Sequence, residues 1–355
     1  MSIEKDYEKK HFKRLLQMQK DLDNMMQNSY DQFARELARY DIKDPKKFVW
    51  KKYPRLEGRI DKEITSLNKN LSGFVQAQQV KGWNLANQKN DELTNQYIRN
   101  IALSEGIKTS FFSQNTQALN AFINRTENGW NLSDRVWNIT KQTKPQLKTL
   151  IGHGIATGRS SSDISRDVRH ILKEPDRRFR HVNKNGKYEW SKPAKHYLSK
   201  NNMKGQYLSS YQNALRLTAT ETNMSYRMSN YHRRQQLPFV IGVIVKLSGS
   251  HPEYDICDNM AGEYPKGFIF TGWHPRCICQ DHSKLLPKEE FKQYLKTGKI
   301  HSKHFTKSVP TRAQNYLNSN KHRFDNYKSQ PYFIRDNFKH KAKNQYTPKD
   351  HVSSV

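Results

Sequence analysis

Apolar positions recur at helical spacing over two stretches near the start of this chain. Met26, Tyr30, Phe33, Leu37 and Tyr40 fall 4, 3, 4 and 3 residues apart. That period lays side chains on one face of an α-helix, so residues 5–41 are expected as one long amphipathic helix. Asp44-Pro45 and Tyr53-Pro54 interrupt the pattern, and Ile60, Ile64, Leu67, Leu71 and Phe74 resume it with the same spacing. Both stripes suit bundle or partner-docking surfaces. Residues 80–128 are rich in Asn and Gln and only weakly periodic; they too are read as helical. Further on, Asn131-Leu-Ser133-Asp134 predicts a helix start with Ser133 as its N-cap, and Pro145 can open another helix. A turn at Gly158–Ser162 precedes a helical stretch over 163–172, and helical spacing returns over 207–235. Phe239–Leu247, apolar on both faces and β-branched, is the best strand in the chain. Lys288–Lys299 and Thr311–Lys328 read as helices, and the last dozen residues as disordered.

These elements describe an α+β protein that is predominantly helical. A helical N-terminal region is expected over 1–128. A central mixed α/β domain with a short sheet and a Cys/His loop cluster follows over 129–286, then a basic tail, partly helical or disordered, over 287–355. The segment at about 173–205 looks like an insertion, and its Asn185-Gly186 dipeptide predicts a hairpin turn.

Composition adds the electrostatics. The 355 residues are 34% hydrophobic, below the roughly 45–50% of an ordinary globular chain. The 11% of aromatic residues argues against plain disorder. With 62 Lys and Arg against 33 Asp and Glu the net charge is +29, a field that attracts polyanions. Double-stranded DNA bound without regard to sequence is the leading expectation. Arg177, Arg178 and Arg180 in the insertion, Arg233 and Arg234 near a helix end, and Lys339, Lys341 and Lys343 in the tail are the candidate phosphate contacts. The most apolar run is too short to span a bilayer, so no membrane anchor is expected. The charged opening residues lack a secretory leader. A reducing cytosol follows, where clustered cysteines favour metal over disulfide.

All three cysteines, Cys257, Cys277 and Cys279, lie within 23 residues of one another, beside His251, His274, His282 and Asp258. Zinc takes four N/S ligands in a tetrahedron, and the three thiols with His274 make the preferred structural set; His251 or Asp258 are alternative ligands. Cys277 and Cys279 point apart in an extended chain, so a bend must bring them together. A disulfide and simple apolar packing of the thiols remain open. His251-Pro-Glu253 followed by Pro275-Arg-Cys277-Ile-Cys279 also resembles the zinc deaminase signature, in which Glu253 would shuttle protons. That signature separates its cysteines by two residues, whereas here one residue intervenes. Upstream, Thr220, Glu221 and Asn223 share a helical face, which suits a polar network pinning the helix to the Cys/His loop.

The ordered set Ser133-Asp-Arg-Val-Trp137, Ile155-Ala-Thr-Gly158-Arg-Ser, Arg216 with Thr220-Glu221-Thr222-Asn223, and Cys257-Asp258 … His274-Pro-Arg-Cys277-Ile-Cys279 resembles the phage head morphogenesis, or minor capsid, family typified by Mu F-like proteins. The resemblance covers roughly residues 130–285. It implies a virion protein made in the bacterial host cytoplasm and lodged near the portal vertex, where it contacts portal and capsid proteins and handles packaged or ejected DNA. It carries Glu221, Cys257, Asp258, His274, Cys277 and Cys279 as signature positions with structural roles, and it does not imply an enzyme. A nucleic-acid-modifying zinc enzyme, or an effector carrying this domain, is the alternative.

Overall fold

The computed structural model describes residues 2–38, 49–141, 143–156, 160, 162–166, 182–184, 187–189, 210–249, 254–300, 302–327, 329–341 and 345–353. Their architecture is the expected one, α+β and predominantly helical, with long helices and a small antiparallel sheet. The described residues divide into two units that do not follow the three consecutive segments of the sequence reading. One unit takes 1–15, 77–128 and 219–355; the other takes 16–76 and 129–218. Three of the boundaries fall inside long helices, α1 (Ile3–Ala38), α2 (Pro54–Ile98) and α7 (Ser210–Gln236), so helix ends do not mark unit ends.

In the second unit the two N-terminal stripes do what their period requires. Leu22, Met26, Tyr30 and Phe33 of α1 and Leu56, Ile60, Ile64, Leu67, Leu71 and Val75 of α2 are all buried in one core. Leu132 and Val136 of α5 (Leu132–Thr140) and Leu147 and Ile151 of α6 (Thr143–Ala156) complete it. Each such side chain contributes about 1.5–3 kcal/mol by leaving water. The N-cap of α5 is Asn131 rather than Ser133. The Asn131 side chain accepts from the Asp134 backbone N–H at 2.9 Å, and Asp134 accepts from the Asn131 N–H at 3.0 Å. That reciprocal box satisfies two otherwise orphaned donors at once, which Ser133 inside the first turn cannot do. Strands β1 (Val182–Lys184) and β2 (Lys187–Glu189) pair antiparallel, as the hairpin expectation requires; the turn dipeptide itself lies outside the described residues.

The first unit carries all three cysteines. Its sheet runs β4–β3–β5, with β3 (Val240–Lys246) flanked antiparallel by β4 (Gly262–Tyr264) and β5 (Gln280–Leu285). Being central explains why β3 is apolar on both faces: Val240, Ile241, Val243 and Val245 are all buried. The Asn/Gln-rich part of α2 is continuous helix, and its polar residues face α7. Asn90 donates to Asn230 at 2.8 Å, Ser225 to the Gln79 carbonyl at 2.6 Å, and Ser229 to the Trp83 carbonyl at 3.1 Å. Gly82 permits this approach, because a Cβ there would stand 3.0 Å from the Thr222 carbonyl oxygen. A seam held by hydrogen bonds leaves no hydrophobic period to read.

The tail is not disordered over its described part. It forms α9 (Lys288–Thr297), α10 (Thr311–Ser319), α11 (Lys321–Asp325), α12 (Tyr332–Asn337), a hairpin of β6 (Phe338–Lys341) and β7 (Gln345–Pro348), and a final turn of helix, Asp350–Ser353. Phe333, Ile334, Phe338, Tyr346 and Val352 sit in the same aromatic core as Tyr264, Phe268, Phe270 and Trp273. The last dozen residues looked polar because, among the described ones, only Tyr346 and Val352 are buried.

Candidate metal centre

Cys257 stands on a one-turn helix, α8 (Ile256–Met260), capped by Asp255 and Asp258. The Asp255 carboxylate accepts from the Cys257 N–H at 2.6 Å, and Asp258 accepts from the Asp255 N–H at 2.8 Å. The cap fixes the direction in which the Cys257 thiol leaves the helix. It also engages Asp258 Oδ2 at the cap, and Asp258 is not among the ligand atoms that lie together.

Cys277 and Cys279 arrive from the loop before β5. Cys277 donates its N–H to the His274 carbonyl at 3.1 Å, closing a turn whose Arg276 has φ of 61°. A left-handed non-glycine residue is costly and must be held by its surroundings. The holding comes from α7. Arg227, buried, donates to the carbonyl oxygens of Thr271 at 2.9 Å and of Cys277 and Cys279 at 2.7 Å each. Its guanidinium lies over the Phe270 ring at 4.7 Å. Gly272, at φ of +122°, makes room, since a Cβ there would be 2.6 Å from an Arg227 nitrogen. Asn223 adds a bond to the Cys277 carbonyl at 3.2 Å, and Thr220 Oγ1 accepts from the Arg276 N–H at 3.2 Å. This is the bend that a Cys-x-Cys pair needs before both thiols can face one point.

The result is two overlapping groups. The thiols of Cys257, Cys277 and Cys279 lie within 4.8 Å of one another, and so do the ligand atoms of Asp255, Cys257 and His274. Cys257 Sγ is 4.0 Å from Cys277 Sγ and 3.2 Å from His274 Nε2. The second ring nitrogen of His274 is 2.8 Å from the Pro275 carbonyl. A carbonyl only accepts, so that nitrogen carries a proton, and Nε2 is the ring atom that faces the Cys257 thiol. Asp255 reaches the same Nε2 at 3.3 Å. Hydrogen bonds from the neighbouring thiols, chiefly Cys257, together with the Arg227 charge, hold the Cys277 thiol well below its ordinary range. The bond to Cys277 pushes Cys257 up. The downward shift at Cys277 favours the thiolate, the form that binds metal.

Not every candidate gathers here. Glu221 is buried away from the thiols. Both of its oxygens accept from Arg125 at 2.9 Å, and Gln79 donates to it at 2.6 Å. His282 pairs with Glu4 at 3.2 Å. His251 and Glu253 lie outside the described residues, as do Arg177, Arg178, Arg180 and Lys343. Arg233 and Arg234, expected to face a phosphate backbone, are buried. Arg234 meets Asp281 at 2.6 Å with both side chains about 1% exposed, and Arg233 meets Asp91 at 2.6 Å and the Phe111 carbonyl at 2.8 Å. The helix end turns into the protein there, so its charges are matched internally. Lys339 is exposed and pairs with Asp350 at 2.8 Å, and Lys341 is the last residue of β6. Sequence reasoning missed Asp255 and Arg227. The Asp-x-x-Asp spacing of a cap around Cys257 signalled the first; nothing local signalled the second.

Comparison with models of protein families, with curated proteins and with solved structures finds no match for this chain.

Proposed function

We propose that this chain is a minor capsid component of a phage head, acting in head morphogenesis, with the Cys/His cluster as a structural zinc clasp. The observation that carries the reading is the bonded contact between the residues of the resemblance. Thr220 and Asn223 of α7 bond the backbone of Arg276 and Cys277, while the Cys257 sulfur meets both His274 and the Cys277 thiol. Residues scattered over sixty positions thus serve one joint between a helix and a loop.

Zinc suits the donor set. A tetrahedron with Zn–S of about 2.3 Å has sulfur–sulfur edges of about 3.8 Å, close to the 4.0 Å between Cys257 and Cys277. Cys257, Cys277, Cys279 and His274 would hold the ion, and zinc would supply a cross-link between α8 and the loop. Three thiols and a histidine close a structural site, whereas a catalytic one keeps a position open. The deaminase-like alternative uses His251 and leaves Cys257 out, yet Cys257 stands at the middle of both ligand groups.

The charge of +29 supports sequence-independent contact with packaged DNA, and portal and capsid proteins are the proposed partners. The test is mass spectrometry of purified particles. Peptides of this chain should follow capsid and portal proteins through a density gradient, and their absence from intact particles would overturn the proposal.

A further inference from the structure

We infer that the cysteine-bearing unit binds a nucleotide, an aromatic base with its phosphate, in the cavity between the start of α1 and the loop before β5. The inference rests neither on the zinc clasp nor on the virion reading. The cavity is about 470 Å³, within the roughly 300–1,000 Å³ of small-molecule sites.

Its rim is cationic. Lys5, Lys9 and Lys13 line it at a spacing of four residues, a row on one helix face with about 6 Å of rise between neighbours. Against them stand Glu8 and Asp281, whose carboxyl groups lie 3.9 Å from Lys89 and 2.6 Å from Arg234. The lysine row therefore leaves the mouth suited to an anion.

Its walls are flat and apolar. Phe12 lines the cavity with 44% of its surface exposed, and Ile278 and Leu15 line it as well. An exposed phenyl ring among lysines gives a base a face to stack on.

Its floor is polar. Asn223, His11 and Tyr226 lie there, His11 bonded to Asn223 at 2.8 Å and stacked on Tyr226 at 4.1 Å. A polar floor decides against an acyl chain, which would strip water from these groups and return no hydrogen bond. A base edge returns one, and Ser248 and Gln280 add polar side chains at the wall.

A free nucleotide and an unpaired nucleotide of a strand share this chemistry. The test titrates the full chain with nucleoside mono- and triphosphates, short oligodeoxythymidylate, blunt duplex DNA and phosphatidylglycerol vesicles, in parallel with Phe12→Ala and Lys9→Glu/Lys13→Glu. Melting curves check that each variant folds. The expected result is saturable one-to-one binding that Phe12→Ala weakens about 5- to 150-fold, the worth of one base–aromatic stack. The double lysine variant should weaken it further and flatten its salt dependence. Binding of the free nucleotides identifies a small-molecule site; binding of the oligonucleotide alone, with the same dependence on Phe12, identifies a strand site. The inference is overturned by binding that ignores Phe12→Ala, by binding of duplex alone, or by vesicle binding without nucleotide binding. Absence of saturable binding by any probe overturns it as well.

Discussion

Arg227 donates to the carbonyl oxygens of Cys277 and Cys279 from a single nitrogen, at 2.7 Å to each. The cation grips the backbone on both sides of Ile278 and leaves the two thiols to whatever they bind. Arg227→Met should therefore loosen the bend without removing a ligand. Outer partners of metal ligands typically cost 10–100-fold in metal affinity when lost. Competition with a chromophoric chelator should show a loss of that order, with the metal stoichiometry at saturation unchanged.

If zinc occupies the site, purified protein should carry one ion per chain by elemental analysis. A strong chelator should lower the melting temperature, and Cys277→Ser should give the same loss with no further response to chelator. Asp255→Asn separates cap from ligand: Asn caps a helix about as well as Asp, so stability should change little while the zinc content stays at one. A metal content that falls with Asp255→Asn but not with Cys279→Ser would assign the fourth position to Asp255.

Arg234 and Asp281 make a second test. Removing one partner of a buried ion pair costs about 3–5 kcal/mol, so Arg234→Met should lower stability by that order. DNA affinity of the folded variant should be unchanged, because the guanidinium is 1% exposed. For the chain as a whole, DNA affinity should fall linearly on logarithmic axes as salt rises and should be indifferent to sequence. Filter binding across a salt series measures both.

Two buried groups near the start of α1 set opposing pH dependences. Burial holds His11 down at about 3 and pushes Glu8 up to about 7. His11 stays neutral when folded and takes a proton on unfolding, so its contribution is full above pH 6.5 and is lost as pH falls toward 3. Glu8 is protonated when folded, so its contribution is full below pH 4.5 and is lost as pH rises through 7. Between pH 4.5 and 6.5 the two slopes, about 1.4 kcal/mol per pH unit each, oppose each other. Denaturant melts of His11→Gln should therefore gain on the parent protein progressively below pH 6.5. Those of Glu8→Gln should gain on it above pH 4.5. A difference that does not change with pH would refute the assignment.

The legible parts of this fold were those where burial is hydrophobic and periodic: the stripes of α1 and α2, the central strand β3, and the clustering of the thiols. The seam between α2 and α7 was not legible. It is made of Gln79, Asn87 and Asn90, buried polar residues whose spacing resembles that of a solvated surface. The same blindness placed Arg233 and Arg234 on a DNA-facing surface. Charge in a sequence carries a sign but not a partner, and Asp91 and Asp281 lie far away in the chain. At the metal centre the ligand types were visible. The clamp was not, because Arg227 acts through backbone carbonyls that every residue possesses.

Glu4 accepts from the Ser283 backbone N–H at 2.7 Å, and His11 bonds Asn223 at 2.8 Å. The first pair cannot meet until nearly three hundred residues have left the ribosome and the second until more than two hundred have, and closing such long loops slows folding. During synthesis the start of α1 must wait, with Phe12 and the lysine row uncovered, for a sheet that does not yet exist. A fragment limited to residues 130–285 would contain every cysteine and still lack the strands of chain that close the unit around them. Work on the cluster in isolation would meet aggregation before it met chemistry.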